Sequence, residues 1–200
     1  EPRMLKVRHV TVQSPNWTGE SLRAGLITDI HMGGFHVDAK RVANVVARMN
    51  ALGADIILLP GDFVNGHMPA SERSAAESRD IAQGFTAIGA LTAPLGVYAA
   101  LGNHDSWYGP QLVRKALDQA GVMVLENAAM IVDERLCLVG LEDDETRNPN
   151  AQAYEDCQGR PIVSMMHSPD TFHLTPPSSA LSVAGHTTAA KLICLYWGAA

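Results

Sequence analysis

The sequence predicts a single α/β domain, and three observations lead there. Short β-type runs alternate with amphipathic helical ones along most of the chain. The length of 200 residues and mass of 21.4 kDa suit one domain and leave little room for two. Apolar residues make up 46% of the chain, enough for a sizeable core and too many for a disordered segment.

The elements follow in order. Met4 to Val12 alternates apolar and polar residues and reads as a strand, and Leu22 to Thr28 reads as a second that ends at Asp29. From Val37 the period changes. Val42, Val45, Val46, Met49 and Leu52 share one helical face, with Asp38 as N-cap and Gly53 as stop. Asp55 to Pro60 is a short apolar strand of the kind buried on both faces. A polar helix is expected over Ser71 to Leu91, and a buried strand over Val97 to Leu101. Leu112, Val113, Ala116, Leu117 and Ala120 line a third helix that stops at Gly121. Short strands follow at Val122 to Leu125, Arg135 to Leu141, Pro161 to Met166, Leu181 to Ala184 and Leu192 to Tyr196. The acidic, polar stretch from Glu142 to Tyr154 reads as a loop, and its run Glu142 to Glu145 as a solvated part of it rather than a third metal site. No repeat, low-complexity tract or linker interrupts the chain.

Composition narrows the function classes. The net charge of -6 argues against a protein that grips a nucleic-acid backbone, which calls for a basic face. Small phosphorylated substrates stay in play, because metal ions can supply positive charge locally. Cys137, Cys157 and Cys194 are odd in number and form no CxxC pair, so neither a disulfide framework nor a zinc ribbon is expected. No apolar run reaches the roughly 18 residues of a membrane span. The chain opens at Glu1, so any upstream targeting or anchoring segment is not part of it, and the compartment stays open between cytoplasm and membrane association.

Polar residues gather at strand ends. Asp29 and His31 follow the second strand, Gly61-Asp62 the third, and Gly102-Asn103-His104-Asp105 the fourth. His167 ends the strand over Pro161 to Met166, and Gly185-His186 ends Leu181 to Ala184. Loops at the carboxyl ends of strands build the sites of open α/β sheets. Each of these residues alone has an ordinary reading as turn or packing chemistry. Together they supply carboxylates, an amide and imidazoles, the ligand types that suit Mn, Fe or Zn. No Ser-His-Asp arrangement is apparent. His9, His36, His67 and His173 fall outside the pattern and read as surface or packing residues, with His36 and His67 near the motif loops. Trp107 and Tyr108 are candidates for shaping a cleft mouth or for ordinary packing.

The ordered set Asp29-x-His31, Gly61-Asp62, Gly102-Asn103-His104-Asp105, His167 and Gly185-His186 resembles the calcineurin-like metallophosphoesterases. The stretches Ala93 to Tyr98 and Val139 to Asp144 look closest to the bacterial YkuE/YaeI-type phosphoesterases. The resemblance spans nearly the whole chain. It implies a single metallophosphoesterase domain over 1–200, folded as an α/β/β/α sandwich with two central mixed sheets flanked by helices. It implies two divalent ions (Mn, Fe, Zn or similar). Asp29 and His31 would bind the first, Asp62 would bridge both, and Asn103, His167 and His186 would hold the second. His104 would face the substrate as proton donor. The implied reaction hydrolyses a phosphomonoester, phosphodiester or pyrophosphate bond through a metal-bridging hydroxide. Membrane or lipid association is common among YkuE-like proteins, no nucleic-acid partner is expected, and nothing in the residues selects a substrate.

Departures from the family pattern shape a rival reading. Thr188 stands where a second histidine completes the first ion site, so that ion would keep only Asp29, His31 and Asp62. A one-nucleotide shift of a family-like His-Gly-Gly-Gln run would encode the Thr188 to Lys191 stretch. Asn65 replaces an aspartate that orients the catalytic histidine in many relatives. The chain also ends 14 residues after His186, where relatives usually continue for several more strands, which leaves open an incomplete second sheet or a fragment. The rival reading is a catalytically impaired or non-catalytic metal-binding member of the fold.

Overall fold

The computed structural model describes residues 5–34, 36–186 and 191–199. The chain begins with β1 (Val7–Ser14) and β2 (Leu22–Thr28). Helix α1 (Ala39–Asn50) starts where expected, because Asp38 caps it by accepting from the Arg41 N–H at 2.7 Å. Its Val42, Val46 and Met49 are buried, each worth about 1.5–3 kcal/mol of transfer from water. Strand β3 (Ile56–Pro60) is buried at every position, as its unbroken apolar run requires.

Helix α2 (Ala75–Ile88) is shorter than the sequence predicts. Ser74 and Glu77 form a capping box that fixes its start, and Ala70–Glu72 is a separate 3-10 turn. Strand β4 (Val97–Ala100) leads into α3 (Asn103–Tyr108), a six-residue helix that periodicity could not reveal, and then α4 (Pro110–Gln119) and β5 (Met123–Val124).

The second half supplies β6 (Ala128–Val132), β7 (Leu136–Gly140), β8 (Ile162–Met166), β9 (Ser179–Ala184) and β10 (Lys191–Ala199). Strand β6 has no counterpart among the expected strands, because its residues show no alternation. Two mixed sheets result among the described residues, ordered β1-β10-β2-β3-β4-β5 and β6-β7-β8-β9. Strand β10 runs antiparallel to β2 and parallel to β1, returning the end of the chain to the first sheet.

Three apolar clusters define the layers. One lies between the first sheet and the α-helices, joining Val42, Val46 and Met49 to Ile57, Leu59, Ile81, Phe85, Val113 and Leu117. A second fills the space between the sheets, where Leu26, Ile56 and Leu58 meet Leu138, Val163 and Met165. The third covers the outer face of β7 and β8 with Ala153 and Cys157 of the 3-10 segment Ala151–Cys157. The expected sandwich of two mixed sheets flanked by helices is therefore present, with 3-10 segments as the helical cover of the second sheet.

The cysteine expectation is corrected. Cys137 of β7 and Cys157 form a disulfide, and Cys194 is a buried free thiol. The pair is separated by 20 residues in sequence, and only the return of the β7–β8 connection across the sheet brings the two together. The run Glu142 to Glu145 is likewise not wholly solvated, since Asp143 is buried and accepts from Thr146.

Candidate metal centre

Five strands point their carboxyl ends at one cleft. Asp29 and His31 follow β2, Asp62 follows β3, Asn103 opens α3 after β4, His167 follows β8 and His186 follows β9. Asp29, His31, Asp62 and His186 all adopt left-handed backbone, with φ of 56°, 54°, 60° and 58°. For a non-glycine residue this costs about 1–3 kcal/mol and persists only where the surroundings enforce it. Here they do. The Asp29 N–H donates to Gly61 O at 3.2 Å, His31 N–H to Asp62 O at 2.9 Å, and Gly185 N–H to His167 O at 2.9 Å. Each turn thus swings its side chain off the strand end and into the cleft.

Asp62 is the hub. Its carboxylate lies 3.5 Å from His31 Nε2 and 3.3 Å from His167 Nε2. The His104 N–H donates to Asp62 Oδ1 at 3.1 Å and to Asn103 Oδ1 at 3.0 Å, which brings those two oxygens to one N–H. His186 Nδ1 faces His167 Nε2 at 3.1 Å. By distance, possible ligand atoms of Asp29, Asp62 and His167 form one group and those of His31, Asp62 and His104 another, all within 4.8 Å in each. Asp62 belongs to both, while the groups cut across the expected division, Asp29 gathering with His167 and His31 with His104.

His167 tests whether the set suits a cation. Its Nδ1–H donates to Pro60 O at 2.8 Å, so Nε2 presents a lone pair toward the Asp62 carboxylate. Two lone-pair groups at that separation need a proton or a cation between them. Burial opposes charge on His167, yet the hydrogen bond and negative charge of Asp62 raise its pKa to about 9. Burial also works against ionised Asp62, but His167 and His31 hold its carboxyl below the usual value. His31 is pushed down by burial, and so is His104. The donor set of carboxylates, imidazoles and an amide oxygen fits divalent transition ions.

Asp105 has a structural role that the motif pattern does not announce. It is fully buried and accepts N–H groups from Asp62 at 2.8 Å, Gly102 at 3.0 Å and Val64 at 3.1 Å, tying the third and fourth strand ends together. Burial and the charge of Asp62 raise its pKa to about 7. Its place three residues after Gly102, at the head of a helix, was the available signal.

Asn65 does not take the orienting role that its position suggests. Its Oδ1 accepts from the His67 N–H at 3.2 Å, and His104 Nδ1 instead accepts from the Gly66 N–H at 3.0 Å. His67 lines the cleft with its ring 4.7 Å from that of His104, whereas His36 lines a separate groove beside Asp38, Arg41 and Asp80. His173 bonds Asp170 O on the surface. Trp107, partly exposed, packs 5.0 Å from His104 at the rim, while Tyr108 lies under the Arg73 guanidinium. Thr188 lies outside the described residues, together with its neighbours from Thr187 to Ala190, so the completion of the first ion site is not described.

Against this geometry, the profile for calcineurin-like phosphoesterase matches residues 22–195, and the chain belongs to that family. A transmembrane protein with a metallophosphoesterase domain from Danio rerio is 27% identical over 199 residues, covering 87% of this chain and 42% of that protein. The UDP-2,3-diacylglucosamine pyrophosphatase LpxG of Chlamydia muridarum is 30% identical over 107 residues, covering 52% of this chain and 30% of the enzyme. A 5'-nucleotidase precursor from Thermus thermophilus shares the fold with a TM-score of 0.57 at 16% identity, over 87% of this chain and 48% of that one. The chain thus spans less than half the length of each of these three. No helix among the described residues is long and apolar enough to cross a membrane.

Proposed function

We propose that the chain is a metal-dependent phosphoric-ester hydrolase using two divalent ions, with Asp29, His31 and Asp62 holding one and Asp62, Asn103, His167 and His186 the other. The observation that carries the reading is that Asp29, His31, Asp62 and His186 line one cleft through left-handed turns at strand ends, with His167 and Asn103 buried beside Asp62. When bound, divalent ions supply Lewis acidity, activating water at neutral pH and offsetting phosphoryl charge. The chain's own residues do the rest. Asp62 holds both halves of the site in register. His104 has Nδ1 committed as acceptor to Gly66, so Nε2 carries the proton and is the group to meet the leaving oxygen. Full transfer of that proton leaves a neutral ring only if Nδ1 has first taken up a proton and released Gly66. The opposed Gly66 N–H disfavours this, so His104 acts mainly by hydrogen bonding and leaving groups of low basicity are the better substrates.

The names of the relatives put phosphoanhydrides and nucleoside monoesters first for screening, beside diesters. The Danio rerio relative's name points to a membrane context. The YkuE/YaeI-type affinity is supported by the stretches Ala93 to Tyr98 and Val139 to Asp144. Thr188 favours a second reading, in which the first ion binds weakly and turnover is impaired.

Metal content per chain after manganese loading and dialysis, measured by elemental mass spectrometry beside turnover of aryl diesters, monoesters and pyrophosphates, decides between them. Two ions with turnover are expected. One ion without turnover selects the second reading, and no bound ion removes both.

A further inference from the structure

We propose that Glu145 is a positioning residue, fixing the Asn103 amide with its oxygen toward the metal centre and thereby setting the affinity for the ion that Asn103 holds. The inference rests on the reading of Asn103 as a ligand. An asparagine amide is nearly symmetric in shape, and only its oxygen can ligate a cation. Which end faces inward is decided by partners.

Asn103 is 3% exposed, so its orientation is not averaged by solvent. Its Oδ1 shares the His104 N–H with Asp62, on the metal side. Its Nδ2 donates to Glu145 Oε2 at 2.5 Å, on the opposite side. A carboxylate has no hydrogen to offer, so it accepts Nδ2–H and rejects the flipped amide. The bond is charge-assisted, and such partners raise the basicity of the group they hold.

Glu145 is placed by a built loop. The Asp143 Oδ2 accepts from Thr146 N–H at 3.0 Å and Thr146 Oγ1–H at 2.8 Å, and Arg147 N–H donates to Asp143 O at 3.0 Å. Asn127 Nδ2 donates to Glu142 Oε2 at 3.0 Å and to Asn148 O at 2.9 Å, pinning the loop to the residue that precedes β6. This loop leaves β7 of the second sheet, whereas Asn103 follows β4 of the first. The second sheet therefore contributes a support for a ligand of the first, beyond His167 and His186.

The test is manganese binding to the full chain, followed by electron paramagnetic resonance. Glu145→Ala should weaken one ion roughly 10–100-fold, with the melting temperature of the metal-stripped protein unchanged and kcat recovered at saturating manganese. Glu145→Gln can pair with either end of the Asn103 amide and carries no charge, so its affinity should fall between the parent's and that of Glu145→Ala, with the melting temperature unchanged. Asn103→Ala, run alongside, should lose the same ion. Parental affinity in Glu145→Ala, with Asn103→Ala weakened, would overturn the proposal and leave the ligand reading intact. Parental affinity in Asn103→Ala would instead overturn the ligand reading. A Glu145→Gln chain as weak as Glu145→Ala, both melting early, would make Glu145 a loop brace and also sink the proposal.

Discussion

Gly102 shows how tightly the strand ends are pressed together. A Cβ built on it would lie 2.2 Å from Asp62 Oδ1 and 2.8 Å from Asp62 N, and one on Gly61, at φ 88°, would lie 2.6 Å from Gly102 N. Neither clash can be relieved by a side-chain rotation alone, since backbone lies behind it. Gly102→Ala should destabilise the fold by about 1–3 kcal/mol, read as a lower urea midpoint, and weaken metal binding with it. A midpoint equal to the parent's would contradict that packing. His104→Ala should reduce hydrolysis by roughly 10²–10⁴-fold while bound metal per chain stays nearly unchanged. Loss of the metal as well would make His104 a ligand, in keeping with its closeness to His31 and Asp62. The loss should be smallest for aryl phosphates, whose leaving groups need little help.

Among the elements, α2 carries the plainest electrostatic signature. Ser74 donates both its N–H and its hydroxyl to Glu77 Oε2, and these bonds hold the Glu77 carboxyl below its usual value. A carboxyl with a depressed pKa adds stability above its unfolded value of 4.5, and loses it as pH falls through the acid range. Ser74→Ala should cost about 1 kcal/mol at neutral pH, and its deficit should shrink in acid; a deficit independent of pH would mean the box is not formed in solution. Just before that cap, the Arg73 guanidinium is 3% exposed and donates to Gly33 O and Asn65 O while lying over Tyr108. It thereby joins the segments after β2 and β3 to α3. On the far side of the molecule, the Cys137–Cys157 bridge closes a 20-residue separation. Reductant should lower stability by about 3 kcal/mol, visible as an earlier thermal transition, and Cys157→Ala should show no response to reductant.

At the scale of the whole chain, the side chains proposed as ligands follow β2, β3 and β4 of one sheet and β8 and β9 of the other, so a bound cation would crosslink the two. Manganese at about 100 times its dissociation constant should stabilise the fold by about 2.7 kcal/mol, and chelation should reverse it. A thermal transition indifferent to manganese would show that the cleft does not hold the ion.

The motif residues, the cap at Asp38 and the buried run of β3 were legible because turn chemistry and periodicity act over a few neighbouring positions. Asp29, Asp62, His167 and His186 could be placed at strand ends by that reasoning alone. Whether they meet could not, since 107 positions separate Pro60 from the His167 ring it anchors. The same limit hid other features. Short α3 and β6 carry too few residues for a period. The Cys137–Cys157 bridge, the Glu145–Asn103 bond and the substitution of Gly66 N–H for Asn65 at His104 are each pairings across folded distance. The insertion of β10 between β1 and β2 belongs with them. Local sequence thus determined which groups stand at each strand end. Tertiary structure alone decided who faces whom, because contact between distant segments depends on the closure of the whole chain around its cores.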